Sequence, residues 1–468
     1  MPSNLLLLML NDMTNNIDKT LSNLVELEDK YELDDIRISN LPVWNIIKYD
    51  IRRKYLLEKG ICESLQSVKV SISLIQSLIG MWKSFCGFLK ICIIPPKVDN
   101  IIMGFSRLDN INGEYIDRFT DPVIDLSKLK DNYICFEYGR TGLHMSPRKN
   151  VNRVIYTDFI YLFSLIWGYF FAIPTMIYNY RELQQFKKCL IDVTSLDIKL
   201  FYLSRIISEF KCNVCIFEII ITHLNAKRIF GVSRILFKHI SFAAKKKNLL
   251  VYEFQHGITL NNTELYSGNY IPEIDPDYFL LFGDSCPRDV FGIPKELTIN
   301  IGWAFKQYIK GVSADNNLPN CCLVISEPQI SNQIIEATLI LAKHNPHINF
   351  HIRRHPQESF TVEQKSRFES VQNVIDSTNK KNSLLVVMAY NYIIGENSTV
   401  LYEGLSLGKK VARLNICGLH PLLRDNNDSF YYIDRVEDFE VYINAPVKKM
   451  KADVYSDFNV ELFNSFLK

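Results

Sequence analysis

Three short stretches of this 468-residue chain combine residue types that hold phosphate and move protons. The first is Glu396-Asn397-Ser398-Thr399, which follows the apolar run 392–394 and precedes an amphipathic stretch to Leu407 with Glu403 on its first turns. A helix that starts at Ser398 or Thr399 presents backbone N–H groups and the positive end of its dipole, and a neighbouring hydroxyl can donate to a phosphate oxygen. The alternative is that Ser398 is only an N-cap and Glu403 an exposed side chain. The second stretch is His355-Pro356, directly after the run 348–353, with Arg353 and Arg354 before it. Two arginines and a histidine at a strand end suit a departing mono- or diphosphate, Pro356 stiffens the turn, and alternation lets only one arginine face the ligand. Alone, His-Pro reads as an ordinary surface turn; its place about one βα unit before the Ser-Thr element puts both on the same strand-end edge. The third stretch is the run 249–254 ending in Gln255-His256-Gly257, with Glu253 two residues before Gln255. Gly257 allows a tight turn, and either His256 or the Glu253 carboxylate could take a proton from an attacking hydroxyl. His256 fits a plain strand-end hydrogen-bonding role equally well.

These residues need elements to position them. From about residue 190 the sequence alternates β-rich apolar runs, at 214–221, 249–254, 278–282 and 297–301, with helical stretches, the pattern of parallel sheets flanked by helices. A polar stretch at 310–320, rich in Asn and Asp, reads as a linker. A second α/β series follows, with strands at 321–326, 348–353, 392–394 and 410–414, a helix at 331–344 and a turn at Gly408. The expected organisation is an acceptor-side Rossmann-like domain over 1–305 with apolar helical insertions, a linker at 306–320, and a nucleotide-sugar-binding Rossmann-like domain over 321–468. Two such halves place a ligand in the cleft between the carboxyl ends of their strands. The first hundred residues read as helical, with a strand at 100–105.

Composition narrows the possibilities. With 53 basic and 51 acidic side chains there is no overall field to draw the chain onto nucleic acid, and Lys245-Lys246-Lys247 and Lys448-Lys449 read as solvated helix ends. The 11 cysteines are scattered, and the only Cys-x-x-Cys, Cys212 and Cys215, lies in an apolar run that reads as a strand, where residues three apart face opposite ways; reduced cytoplasmic thiols are expected. The apolar run 5–10 is too short for a signal peptide and has no basic flank. Two longer apolar segments stand out: 70–95, broken by Lys83 and Lys90, and 159–178, which has no charge but contains Gly168 and Pro174. Arg153 and Arg181 flank the latter on both sides, without the asymmetry of a span. It reads as an apolar helix packed in the protein or lying on a membrane surface, as a core element, or as a genuine span.

Taken together, several of these residues resemble a known group. Glu253-Phe254-Gln255-His256-Gly257, then Tyr266, Pro276-Asp277-Tyr278, Phe282-Gly283 and Ile301-Gly302, are similar to the pattern of bacterial capsule and O-antigen biosynthesis proteins. Gly113-Glu114-Tyr115 and Arg118-Phe119-Thr120-Asp121-Pro122 match it too. His355-Pro356 and Ser398-Thr399 through Glu403-Gly404 look like motifs shared by polysialyltransferases, Kdo transferases and the glycerophosphotransferases of teichoic acid synthesis. The likeness covers about residues 100 to 415. It implies a GT-B fold, transfer from a nucleotide-activated donor, and neither metal nor cofactor. By that resemblance His355, Ser398 and Thr399 hold the nucleotide phosphate, with Arg353 or Arg354 beside them, and Glu403 holds ribose hydroxyls. The acidic base motif of those relatives is here Gln255-His256-Gly257, which leaves the base between His256 and Glu253. The expected activity is metal-independent transfer of a sugar to a growing capsule or O-antigen glycan, free or lipid-linked, in the cytoplasm or at the inner face of its membrane, with peripheral membrane contact and no nucleic acid. The alternatives are polyol-phosphate transfer or nucleotide-sugar epimerisation on the same fold, and a non-catalytic polysaccharide assembly protein.

Overall fold

The computed structural model describes residues 19–60 and 74–468, apart from 106–107, 139–143, 260–262, 285, 312–317, 328–329, 356–357, 359, 379–381, 420–428 and 449–453. Two parallel sheets organise it. The first comprises β1 (Asn100–Met103), β2 (Tyr133–Glu137), β3 (Val154–Tyr156), β4 (Arg228–Val232), β5 (Leu250–Phe254), β6 (Tyr278–Leu281) and β7 (Thr298–Asn300), in the order β7-β6-β5-β4-β1-β2-β3. The second comprises β8 (Leu318–Ile325), β9 (Asn349–Arg353), β10 (Val374–Asp376), β11 (Tyr390–Gly395), β12 (Lys410–Leu414) and β13 (Tyr431–Ile433), in the order β10-β9-β8-β11-β12-β13. β1, β2 and β4 are buried at every residue, as strands covered by helices on both faces must be. The expected α/β class, two parallel sheets with an apolar helical region, is what the chain adopts.

In each sheet the strand order reverses at one place: between β1 and β4 in the first, and between β8 and β11 in the second. Successive strands leave such a point in opposite directions, so the loops at their carboxyl ends splay apart and open a crevice. The sequence pattern missed β2, β3 and β4, and the first sheet begins at residue 100 rather than near 190. The run 214–221 is a correction. It lies inside the helix Leu200–Leu224, whose buried positions Leu203, Ile207, Phe210, Val214, Phe217, Ile221 and Leu224 recur at three and four residues. A short apolar run does not distinguish a strand from one buried side of a helix. On that helix Cys212 is buried and Cys215 exposed.

The polar stretch between the halves is framed by the helix Ala304–Lys310 and by β8, which starts at Leu318. The chain then crosses back. Its last helix, Val460–Ser465, packs Phe463 against Phe230 and Phe254 of the first sheet, at ring distances of 5.6 and 6.1 Å. Backbone bonds from Ser456 N to Phe282 O (2.8 Å), Trp303 N to Ser456 O (2.9 Å) and Asn459 N to Ile301 O (2.8 Å) fix this return. One apolar core therefore runs from the first sheet through Trp303 and Tyr455 to Leu323, Ile393 and Leu401 of the second half.

Candidate functional site

At the second sheet's crevice, β9, β8 and β11 lie side by side, so the residues after them share one edge: Arg353-Arg354-His355, Ser326-Glu327 and Glu396 to Thr399. Ser398 caps the helix Thr399–Ser406, its Oγ accepting from Val400 N at 3.4 Å and its carbonyl from Leu401 N at 3.0 Å. Thr399 is exposed. The two amides just before this helix are already engaged: Glu327 Oε1 accepts the Asn397 N–H at 3.1 Å, and the Ser398 amide also bonds to that carboxylate. Burial raises the Glu327 carboxyl pKa, and these two amides oppose the rise. Sequence reasoning passed over Glu327; the signal was an acidic residue just past the central strand of this edge.

His355 is half-buried, and its N–H donates to Glu358 Oε2 at 3.0 Å, while Glu358 Oε1 accepts from Ser326 Oγ at 2.7 Å. Glu358 thus ties the turn after β9 to the end of β8. The two arginines diverge, as strand alternation requires. Arg354 turns to Thr378 Oγ1 (3.2 Å), Asp376 (3.5 Å) and the Phe360 ring, whereas Arg353 lies within electrostatic reach of Glu403. Burial lowers the Arg353 pKa and Glu403 opposes that. Pro356 falls outside the described residues. Glu403 is buried rather than exposed, on a helix held by Arg413, which bonds Tyr402 Oη at 2.7 Å and lies 4.3 Å from the Phe430 ring.

From the first half, Arg118 reaches the same region. Its guanidinium makes a two-pronged pair with Asp109 (2.7 and 2.9 Å). Burial works against its charge, but Asp109 and, less strongly, Glu403 and Asp117 more than offset this and raise its pKa. The turn bearing Arg118 is fixed by Asp117, which accepts from Phe105 N (2.7 Å) and Phe119 N (2.9 Å), and by Asp121, which Arg148 holds at 2.6 Å. Arg118 and Arg353 thus each lie within electrostatic reach of Glu403, and Tyr455 lies within electrostatic reach of Glu403 and Arg118. The sequence contained the motif around Arg118 but gave no reason to place it opposite Glu403.

The residues after β5 separate into different roles. Glu253 is 0% exposed, its carboxylate accepting from Arg234 N (2.7 Å) and Arg234 Nε (2.8 Å) at the start of the helix Arg234–Lys246, with Asp275 at 3.6 Å from the same guanidinium. A base must reach the hydroxyl it deprotonates, so this geometry removes Glu253 from that role. Gln255 is buried and clasps three neighbours: Gly257 O, Cys286 Sγ and Phe282 N. His256 is half-buried, with Nδ1 at 2.9 Å from Tyr266 Oη and its ring 5.4 Å from Phe105, which follows β1 at the first sheet's own crevice. Gly257 has open space where a Cβ would project. Gly302, at φ +77°, faces no cleft: a Cβ there would lie 2.1 Å from Asp457 O. Among the described residues, no three His, Cys, Asp or Glu side chains group so as to hold a metal ion.

No family model matches the chain, and no curated protein matches it. Among solved structures, UDP-GlcNAc 2-epimerase from Neisseria meningitidis is similar over 79% of this chain and 99% of that one, with 11% identity and a TM-score of 0.43. UDP-GlcNAc 2-epimerase from Methanocaldococcus jannaschii is similar over 79% and 98%, with 11% identity and a TM-score of 0.42. TarM is similar over 49% and 50%, with 13% identity and a TM-score of 0.32. Superpositions this loose set no residue of this chain opposite a residue of those proteins.

Proposed function

We propose that this chain is an enzyme that uses a nucleotide-activated sugar, and that it transfers the sugar to a surface glycan of the capsule or O-antigen kind, without a metal. The reading is carried by one observation: His355, Ser398 and Arg353 share the crevice edge of the second sheet, with Glu403 within electrostatic reach of both Arg353 and Arg118. A diphosphate there would meet the Ser398 and Thr399 hydroxyls, His355 and the two guanidinium groups Arg353 and Arg118, charge-assisted donors that stabilise a departing phosphate. Glu403 is the acceptor for ribose hydroxyls. His256, oriented by Tyr266, is the group that takes the acceptor's proton. The likeness of the His-Pro and Ser-Thr motifs to those of polysialyl- and Kdo transferases supports the same assignment. A glycan on a lipid carrier is the acceptor class we favour, at the inner face of the cytoplasmic membrane.

The cleft serves a nucleotide-sugar epimerase equally well, since Glu403 beside two arginines offers a carboxylate next to a bound sugar. Incubation with nucleotide sugars separates the two: release of free nucleotide only with acceptor present marks transfer, and a changed sugar still on its nucleotide marks epimerisation. The binding site itself is tested by thermal shift with CMP, CDP, UDP, GDP and dTDP and their sugars, on wild type, His355→Ala and Ser398→Ala. A ligand that binds only the folded state raises its apparent stability. Stabilisation by one nucleotide that both substitutions weaken is the expected result; no shift with any nucleotide favours a non-catalytic assembly protein.

A further inference from the structure

Two helices of the first half are built inside out for a protein in water. The helix Asp158–Tyr178 buries Ser164, Gly168 and Ala172, four apart, against the helix Leu200–Leu224. Gly168 sits so close that a Cβ would come within 3.0 Å of Arg205 O, and Thr175 Oγ1 pairs with Ser208 Oγ at 2.7 Å. Its outward face carries Leu162, Phe163, Ile166, Trp167, Phe170 and Ile177, from 40 to 76% exposed. Only 22% of its most apolar stretch is buried. Small and hydroxyl side chains inward with large apolar ones outward is how helices pack when their surroundings are hydrocarbon.

The helix Leu74–Ile93 continues this face. Ser84 Oγ bonds Tyr156 O (2.6 Å) and Phe159 N (2.9 Å), and Phe85 packs 4.9 Å from the Phe159 ring, which joins the two helices. Outward it presents Ile75, Ile79, Trp82, Leu89 and Ile93, all exposed, one side of the helix by their spacing. Lys83 and Lys90, seven apart and also exposed, run along the border of this apolar row. An apolar stripe with a tryptophan and a lysine border complements an anionic lipid surface: the rings and aliphatic chains enter the acyl boundary while the ammonium groups reach head-group phosphates.

We infer that these two helices form a face that lies in the plane of an anionic bilayer, inserting from one side without crossing it. Crossing is opposed by the partner helix, which runs along Asp158–Tyr178 and carries Arg205 and Glu209, paired at 2.6 Å, beside Tyr169. Those charges and the sheet behind them anchor one side in water. This inference stands independently of the sugar-transfer reading.

The test is flotation of the full chain with vesicles of phosphatidylethanolamine and phosphatidylglycerol, compared with phosphatidylcholine vesicles. Wild type floats with the anionic vesicles and less with the neutral ones. Lys83→Gln with Lys90→Gln lowers partition onto anionic vesicles roughly 30-fold, about fivefold per lysine. Ile166→Glu with Phe170→Glu abolishes flotation while circular dichroism and elution volume stay those of the folded protein. Failure of wild type to float with either vesicle overturns the inference. So does a soluble oligomer that Ile166→Glu with Phe170→Glu dissolves, which would assign the face to a second copy, and so does resistance to alkaline extraction, which would make the helix a span.

Discussion

Glu253 offers the sharpest test of how the first half works. Its carboxylate spans the backbone amide and the side chain of Arg234 at 2.7 and 2.8 Å, with no exposed surface, and so ties the start of a helix to the middle of the sheet. Glu253→Gln keeps the shape but leaves the Arg234 guanidinium with only the longer contact to Asp275, at 3.6 Å, among the described ion pairs. Breaking a buried pair from one side costs about 3–5 kcal/mol. At about 2–4 °C per kcal/mol for a half of this size, its melting transition falls by roughly 6–20 °C. Calorimetry or urea unfolding reads this directly. His256→Ala, which removes a half-buried ring bonded to Tyr266, changes stability by about 1 kcal/mol and instead lowers turnover while nucleotide binding survives. A Glu253→Gln protein with the unfolding midpoint of wild type and no turnover would refute this reasoning and return Glu253 to the role of base.

Three further outcomes are expected. Glu327→Gln removes a negative charge from the amides of Asn397 and Ser398, so nucleotide titration should show affinity rising roughly tenfold, about 1.4 kcal/mol; unchanged affinity would place the phosphate elsewhere. His239, buried among Tyr161, Phe210 and Phe217, has its pKa lowered by desolvation to about 3. A lowered pKa means that its contribution is intact above about pH 6.5 and is lost as pH falls towards 3, by up to about 1.4 kcal/mol per pH unit. Urea midpoints measured down to about pH 5 should therefore fall less steeply in His239→Leu than in wild type. In Gly302→Ala the Cβ overlaps Asp457 O and the backbone is strained at φ +77°, so the carboxyl-terminal return detaches and limited proteolysis removes it, which a wild-type digestion pattern would contradict.

The second half was the more legible in sequence. The helix Ser331–His344 and the strand Lys410–Leu414 lie where their periodicity put them, and the strand-to-helix passage at Ser398 was readable because a local N-cap marks it. The first half hid its order because a 25-residue helix with an apolar centre imitates a strand over any eight residues. At the site, the local sequence offered phosphate-binding types but not their partners. Glu253 meets Arg234 nineteen residues away, and Glu327 meets Asn397 seventy away, both through neighbouring strand ends. Which carboxylate is already engaged is decided by strand order, and strand order leaves no mark on a short motif.

The returning helix Val460–Ser465 sets a timetable for synthesis. Once residues 318–444 have left the ribosome, every strand of the second sheet is present, and they can assemble together. The first sheet is complete in strands far earlier, yet the aromatic surface around Phe230, Tyr252 and Phe254 waits for Phe463 and Phe466, which follow every strand of the second sheet. The half that is translated first is therefore finished last, and in the interval these rings are uncovered on the nascent chain.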